Sequence, residues 1–305
     1  MIRRLFFLII TLISLSNCKA QITDKTINTM EAYTKKIDNL EIKMLVDTNL
    51  KEQKTFWNIY VYNSKKDSVL IDHFEYSKIY EKEQEYISGD IRKHIIIGDV
   101  ILEHKTIYLM LYKHGKTYLN TYEFTDDKKF IKNEYFGGSI RSGSYVNYGH
   151  PLYLAEIKPI TENELFIYLA GGTEMSSGVL PMQKFNNLSK KLTRIIFNEN
   201  STKKIENNEK LFETLVLEQN KEKIGTLIKK ILIENNHLKI NDNFKYLGFL
   251  DRSNLKKTRV RSKGLIYFFF QEKSINSNIK IIKYNISKSE WLIADFKEER
   301  IKSEE

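Results

Sequence analysis

The chain has 305 residues, a formal net charge of +10 (49 Lys and Arg against 39 Asp and Glu) and a single cysteine, Cys18. One cysteine excludes a disulfide framework, and the length allows one large or two small domains with a substantial core. The basic residues are scattered, mostly as Lys-Lys pairs beside Asn, Ser or Asp, which is typical of solvated turns, so we expect no nucleic-acid partner.

Residues 1–17 have the layout of a secretory signal peptide. Arg3 and Arg4 precede an uncharged apolar run. That run is about a dozen residues long, whereas a helix that spans a bilayer needs roughly 20. No later stretch of the chain is apolar for long enough either. The sequence therefore predicts export without a transmembrane helix.

The end of this segment, Leu15-Ser16-Asn17-Cys18, resembles the lipobox of bacterial lipoprotein precursors, with Asn17 where that family usually has Gly or Ala. The resemblance implies that the Cys18 thiol receives a diacylglyceryl group, that the chain is cut before Cys18, and that the new amino group is acylated. Several acyl chains give stable membrane attachment. We therefore expect a membrane partner, reached through the lipid anchor.

The residue after Cys18 indicates in which membrane the lipoprotein is finally anchored. In the lipoprotein family an Asp there retains the product at the inner membrane, so Lys19 implies the outer membrane, with the protein facing the periplasm. The alternative is an ordinary cut after Ala20, which would leave a soluble periplasmic or secreted protein.

Residues 18–38 are predicted to form the lipidated tether and a short helix, in which Ile27, Met30 and Ile37 share one face. The pattern then changes to segments rich in β-branched and aromatic residues with partial period-2 alternation, which is typical of strands. We therefore predict a β-rich region over residues 39–200.

A helical pair is predicted over residues 201–240. Its second helix has the clearer apolar face, with an i, i+3, i+4, i+7, i+8 pattern formed by Ile224, Leu227, Ile228, Ile231 and Leu232. Residues 241–297 return to strand patterns and are predicted to complete the same domain. Residues 298–305 show no apolar periodicity and are predicted to be a tail.

An Ile-Tyr pair recurs at the start of strand–turn–strand–turn–strand segments, at residues 107–108, 167–168 and 266–267, and again in a strand at 59–60. A period near 50 residues would suit the blades of a β-propeller. We therefore predict a mainly β fold with a helical insertion, built from antiparallel meanders and propeller-like. The alternative is an α+β fold with a β-sandwich or an open barrel.

Residues 137–181 hold 7 of the 13 glycines and all three prolines, and are predicted to contain two long loops. Long loops on a sheet are where binding residues concentrate. Arginine, tyrosine and asparagine together suit a sugar, a peptide carboxylate or a protein partner. The candidate binding residues are Arg141, Tyr145, Asn147, Tyr148 and His150 in the first loop and Glu174 in the second.

Catalytic and metal-binding motifs are missing from the sequence: there is no G-x-S-x-G, H-E-x-x-H, P-loop or Cys/His spacing. We expect no catalytic residue, cofactor or metal. The favoured hypothesis is a non-catalytic envelope lipoprotein that binds a protein or a glycan. The alternative is an exported hydrolase of envelope polymers, which would need His150, Glu174 or Arg141 to converge in one cleft.

Overall fold

A computed structural model describes the following parts of the chain: residues 27–76, 95–113, 116–125, 129–139, 155–169, 182–197, 199–205, 221–251, 265–272, 279–285 and 290–301. Within these parts the protein is mainly β, with 18 strands in four antiparallel sheets and one α-helix. The predicted fold class is therefore confirmed. The chain divides into two compact units, Met1–Lys82 and Glu83–Glu305, so the β-rich sequence predicted as one domain is shared between two units.

The first unit contains one four-stranded sheet, sheet A, whose strands follow one another in chain order: β1 (Ile27–Ile37), β2 (Leu40–Asn49), β3 (Lys54–Tyr62) and β4 (Ser68–Tyr76). One face of β2 and β3 is fully buried, and it is formed by Ile42, Met44, Val46, Trp57, Ile59 and Val61. The alternate residues of these strands lie on a second face, which is mostly half-exposed.

Strand β1 corrects the sequence analysis, because a helix was predicted there. It pairs with β2 over its whole length, with a bulge between Glu31 and Tyr33. The bulge interrupts the period-2 alternation, and most of the strand is exposed, so neither a strand pattern nor a buried face was visible in the sequence. Backbone pairing rather than apolar burial defines this element.

The second unit contains three sheets. Sheet B consists of β5 (Ile95–Glu103), β6 (Thr106–Lys113), β7 (Lys116–Phe124) and β8 (Phe130–Ser139). Sheet C begins with β9 (Ala155–Thr161), β10 (Glu164–Leu169), β11 (Met182–Asn186) and β12 (Lys191–Phe197). Sheet D is built on β14 (Phe244–Asp251), β15 (Leu265–Glu272), β16 (Ile279–Asn285) and β17 (Glu290–Ala294).

These three meanders pack face to face in chain order. One face of β10, including Ile167, shares a buried cluster with Tyr108 and Met110 of sheet B. Its other face, including Phe166, packs with Phe269 of sheet D. The recurring Ile-Tyr pairs fall in the second strand of each meander, β6, β10 and β15. Successive four-stranded meanders stacked in this way give the unit its propeller-like architecture.

The helical insertion is present as α1 (Lys221–Glu234), which covers the outer face of sheet D. Its apolar face, formed by Ile224, Ile228, Ile231 and Leu232, packs on Phe268, Phe270 and Trp291. The first predicted helix lies largely outside the described residues. No helix in the described part of the chain is both long and apolar enough to cross a bilayer.

Two short strands exchange places between sheets C and D. β13 (Lys203–Ile205) follows β12 in the chain but pairs with β17 at the edge of sheet D. β18 (Phe296–Arg300) follows β17 but pairs with β12 at the edge of sheet C. Residues 203–205 are thus strand rather than helix. The predicted tail is wrong over residues 298–300, which belong to β18.

Candidate functional site

The sequence-predicted site residues lie outside the described residues. Arg141, Tyr145, Asn147, Tyr148 and His150 fall within residues 140–154, Glu174 within residues 170–181, and Cys18 within residues 1–26. Whether the side chains of the two loops converge therefore stays a prediction. The structure does describe the strands from which both loops leave.

Both loops start and finish at the same end of sheet C or beside it. The first loop returns at Ala155, which pairs with Leu169, and Leu169 is the residue from which the second loop leaves. The second loop returns at Met182, which pairs with Tyr168. The three strand ends of sheet C that border the loops are therefore adjacent, since neighbouring strands lie about 5 Å apart.

The fourth strand end, that of β8, is joined to the start of β11 by one hydrogen bond and to β7 by another. Gln183, one residue into β11, donates from Nε2 to the carbonyl of Gly137. Thr117 donates from Oγ1 to the carbonyl of Gly138 over 3.1 Å. Side-chain bonds of this kind fix the backbone where the first loop leaves sheet B and where the second loop enters sheet C.

Two glycines are needed at this junction for different reasons. A Cβ on Gly137 would lie 2.7 Å from Thr117 Oγ1, which no real contact allows. Gly138 has a φ of +114°, a region that side chains with a Cβ rarely adopt. Part of the glycine enrichment in the sequence therefore reflects the end of β8 and its bulge, and not the loop itself.

Gln183 was missed by the sequence analysis. Its side chain is buried, and Oε1 has no hydrogen-bond partner in the described part of the chain. A buried amide oxygen without a donor is costly, and this one lies at the base of the loops. Arg194 of β12 lies opposite Gln183 in the strand register, and its side chain is exposed. No specific sequence signal marks Gln183, because its strand, MQKFN, also contains Lys184 and Asn186.

The described residues contain no group of three or more His, Cys, Asp or Glu side chains that could hold a metal ion. The junction presents the exposed guanidinium of Arg194 beside a backbone held by the Gln183–Gly137 hydrogen bond.

No family model and no curated protein matches the chain. Two solved structures are similar in part. One is a β-fructofuranosidase of family GH32 from Bombyx mori, with 7% identity and a TM-score of 0.28 over 88% of this chain and 65% of that one, so this chain spans less than two thirds of the enzyme. The other is the β-propeller domain of the Trilobed protease from Pyrococcus furiosus, with 10% identity and a TM-score of 0.23 over 91% and 95%. At these TM-scores neither likeness carries an argument.

Proposed function

We propose that the protein is an exported envelope lipoprotein that acts as a non-catalytic binding module for an envelope protein or glycan. Cys18 carries the lipid, and the two loops between residues 137 and 181 form the binding surface. The observation that carries the proposal is the common origin of the loops, whose strand ends are adjacent and joined by the Gln183–Gly137 hydrogen bond.

A fixed base for two loops favours binding for an energetic reason. A loop that is ordered only on association loses conformational entropy at that step, which lowers affinity. Holding both ends of each loop reduces this loss. Sheet C supplies a firm base, because β10 is buried on both faces between sheets B and D.

The lipid anchor is tested by Cys18→Ala. The variant should lose all metabolic labelling with an alkyne analogue of palmitate, because only the thiol can form the thioether. Ser16→Ala, which keeps a small residue two positions before the cysteine, serves as the control and should remain labelled. Label that persists in Cys18→Ala, or a mature amino terminus at Gln21, would contradict the lipoprotein proposal.

The binding surface is tested by Arg141→Ala/Tyr145→Ala/Tyr148→Ala in the full-length protein. Captured from cross-linked envelope extract, this variant should lose the partners of the wild type by at least about tenfold, which corresponds to 1.4 kcal/mol. Lys65→Ala/Lys66→Ala, in the exposed β3–β4 turn, is the matched control. Equal recovery by both variants would refute the loop surface.

A hydrolase would behave differently in the same assay. Purified wild type would cleave an envelope polymer, and His150→Ala or Glu174→Ala would abolish that cleavage. This result would contradict the proposed binding function and support the hydrolase alternative.

A further inference from the structure

A chain of hydrogen bonds crosses all four strands of sheet A on its half-exposed face. Thr29 of β1 donates its hydroxyl to Asp47 Oδ1 over 2.6 Å. Asn58 of β3 donates from Nδ2 to Asp47 Oδ2 over 2.6 Å. His73 of β4 meets Asn58 Oδ1 through Nδ1, also at 2.6 Å. One polar side chain from each strand thus takes part.

The direction of this chain determines which nitrogen of His73 carries the proton. The Asp47 carboxylate only accepts, so Asn58 must turn its amino group towards it and its carbonyl oxygen towards His73. The Nδ1 nitrogen of His73 is then the donor, and in the neutral ring Nε2 is left as an acceptor. Asn58 is buried, whereas His73 is exposed, so this acceptor belongs to an exposed residue.

Aromatic rings run along β3 beside this acceptor. Phe56, Tyr60 and Tyr62 point to the same face as Asn58 and are half-exposed. The His73 ring stacks on Phe56, with the centroids 5.5 Å apart and the planes at 22°. The rings of Tyr60 and Tyr62 lie 6.1 Å apart. From Phe56 to Tyr62 the strand rises about 20 Å, so the ring surface is elongated.

The lysines of the two central strands form ion pairs on this face. Lys43 of β2 pairs with Glu31 over 2.9 Å, and Lys54 of β3 pairs with Glu75 over 2.6 Å. Burial, Asp47 and Tyr62 raise the pKa of the Tyr60 hydroxyl above its usual range, which keeps it a neutral donor. An anionic ligand would have to break an existing ion pair to gain a lysine from the two central strands. The face therefore disfavours an anionic ligand.

We infer that this face of sheet A binds a neutral oligosaccharide, with sugar rings stacked along Phe56, Tyr60 and Tyr62 and a sugar hydroxyl donating to Nε2 of His73. Sugars combine apolar ring faces with hydroxyl edges, which matches aromatic surface beside fixed polar groups. The elongated strip fits a chain of sugars better than a single one. The site lies in the first unit and depends on neither the loops at residues 137–181 nor the lipid.

The test is calorimetric titration of the detergent-solubilised full-length protein with cellohexaose, maltohexaose and chitohexaose. At least one should bind with a Kd of about 1 mM or tighter, which is the range of a shallow site. Tyr60→Ala should weaken that binding about tenfold through the lost stacking. His73→Phe keeps a ring over Phe56 but removes the acceptor, and should also weaken binding severalfold.

The controls separate this site from other surfaces. Phe124→Ala removes an exposed aromatic ring in the second unit and should leave the Kd unchanged. The triple loop variant should also bind normally; if it loses the sugar, the site is in the loops and the inference fails. Binding of none of the three sugars, or equal affinity in wild type, Tyr60→Ala and His73→Phe, would also overturn it. Unchanged melting temperatures verify that the variants are folded.

Discussion

Lys184 of β11 is a buried cation held between two carboxylates on sheet C. Its ammonium pairs with Glu164 of β10 over 2.9 Å and also with Glu298 of β18. Burial lowers the pKa of Lys184, but the hydrogen bonds to Glu298 and Glu164 outweigh it, so the pKa is raised above 10.5. Phe296 of β18 lies 5.6 Å below the ammonium. The residue therefore joins β18 to the middle of the sheet.

Replacing Lys184 should leave the partly buried carboxylate of Glu164 and the exposed one of Glu298 without their cation. We expect Lys184→Met to reduce the free energy of unfolding by about 3 kcal/mol at pH 7, as measured by urea denaturation. Lys184→Met/Glu164→Gln/Glu298→Gln, which removes all three charges, should recover part of the loss. An unchanged unfolding midpoint in Lys184→Met would show that the pair contributes nothing.

The pH dependence of the same residue has a definite sign. Because the folded-state pKa of Lys184 is raised, its contribution is complete below pH 10.5 and is lost as the pH rises through the folded-state value. The difference in stability between wild type and Lys184→Met should therefore be constant at neutral pH and shrink above pH 10.5. A difference that stayed constant there would contradict this assignment.

At the scale of elements, β18 shows why an edge strand escapes sequence analysis. Lys297, Glu298, Glu299 and Arg300 are all exposed, so no apolar alternation marks the strand. Its stability comes from pairing with β12, from the Glu298–Lys184 ion pair and from Phe296, whose ring contacts Phe166 at 5.8 Å. These partners lie roughly 100 to 130 residues away in the sequence.

A chain ending at Asp295 tests the contribution of this strand. It lacks the partly buried Phe296 and the pairing with β12, so we expect a loss of about 3 kcal/mol, the lower end of the cost of removing a large core side chain. It should also aggregate more readily, because the edge of β12 is left open. A chain ending at Ile301 is the control and should behave as wild type. Identical denaturation curves for the two truncations would contradict the assigned role.

At the scale of the whole molecule, the sequence predicted what local patterns encode. Alternating β-branched and aromatic residues identified β2 to β8, and an i, i+3, i+4 pattern identified α1. The Ile-Tyr pairs at 107–108 and 167–168 marked central strands, β6 and β10, in which both residues of the pair are buried. The exchange of β13 and β18 was not predictable, since nothing in a short exposed segment specifies a distant partner.

The same distinction holds for the candidate sites. Glycine and proline enrichment located two loops, but the Gln183–Gly137 bond that joins their bases connects residues 46 positions apart. The chain of hydrogen bonds on sheet A needs one side chain from each of four strands, placed opposite one another by the strand register. No spacing in the sequence encodes that register. Sites built across strands become visible only once the pairing is known.

The strand exchange between sheets C and D also orders the assembly of the protein in time. When β12 emerges during synthesis, the strand that will cover its edge is still almost a hundred residues from being made. β18 follows β17 in the chain and completes sheet C, while β13 waits for β17 before sheet D is complete. Neither sheet can therefore close before residues 290–300 have been made.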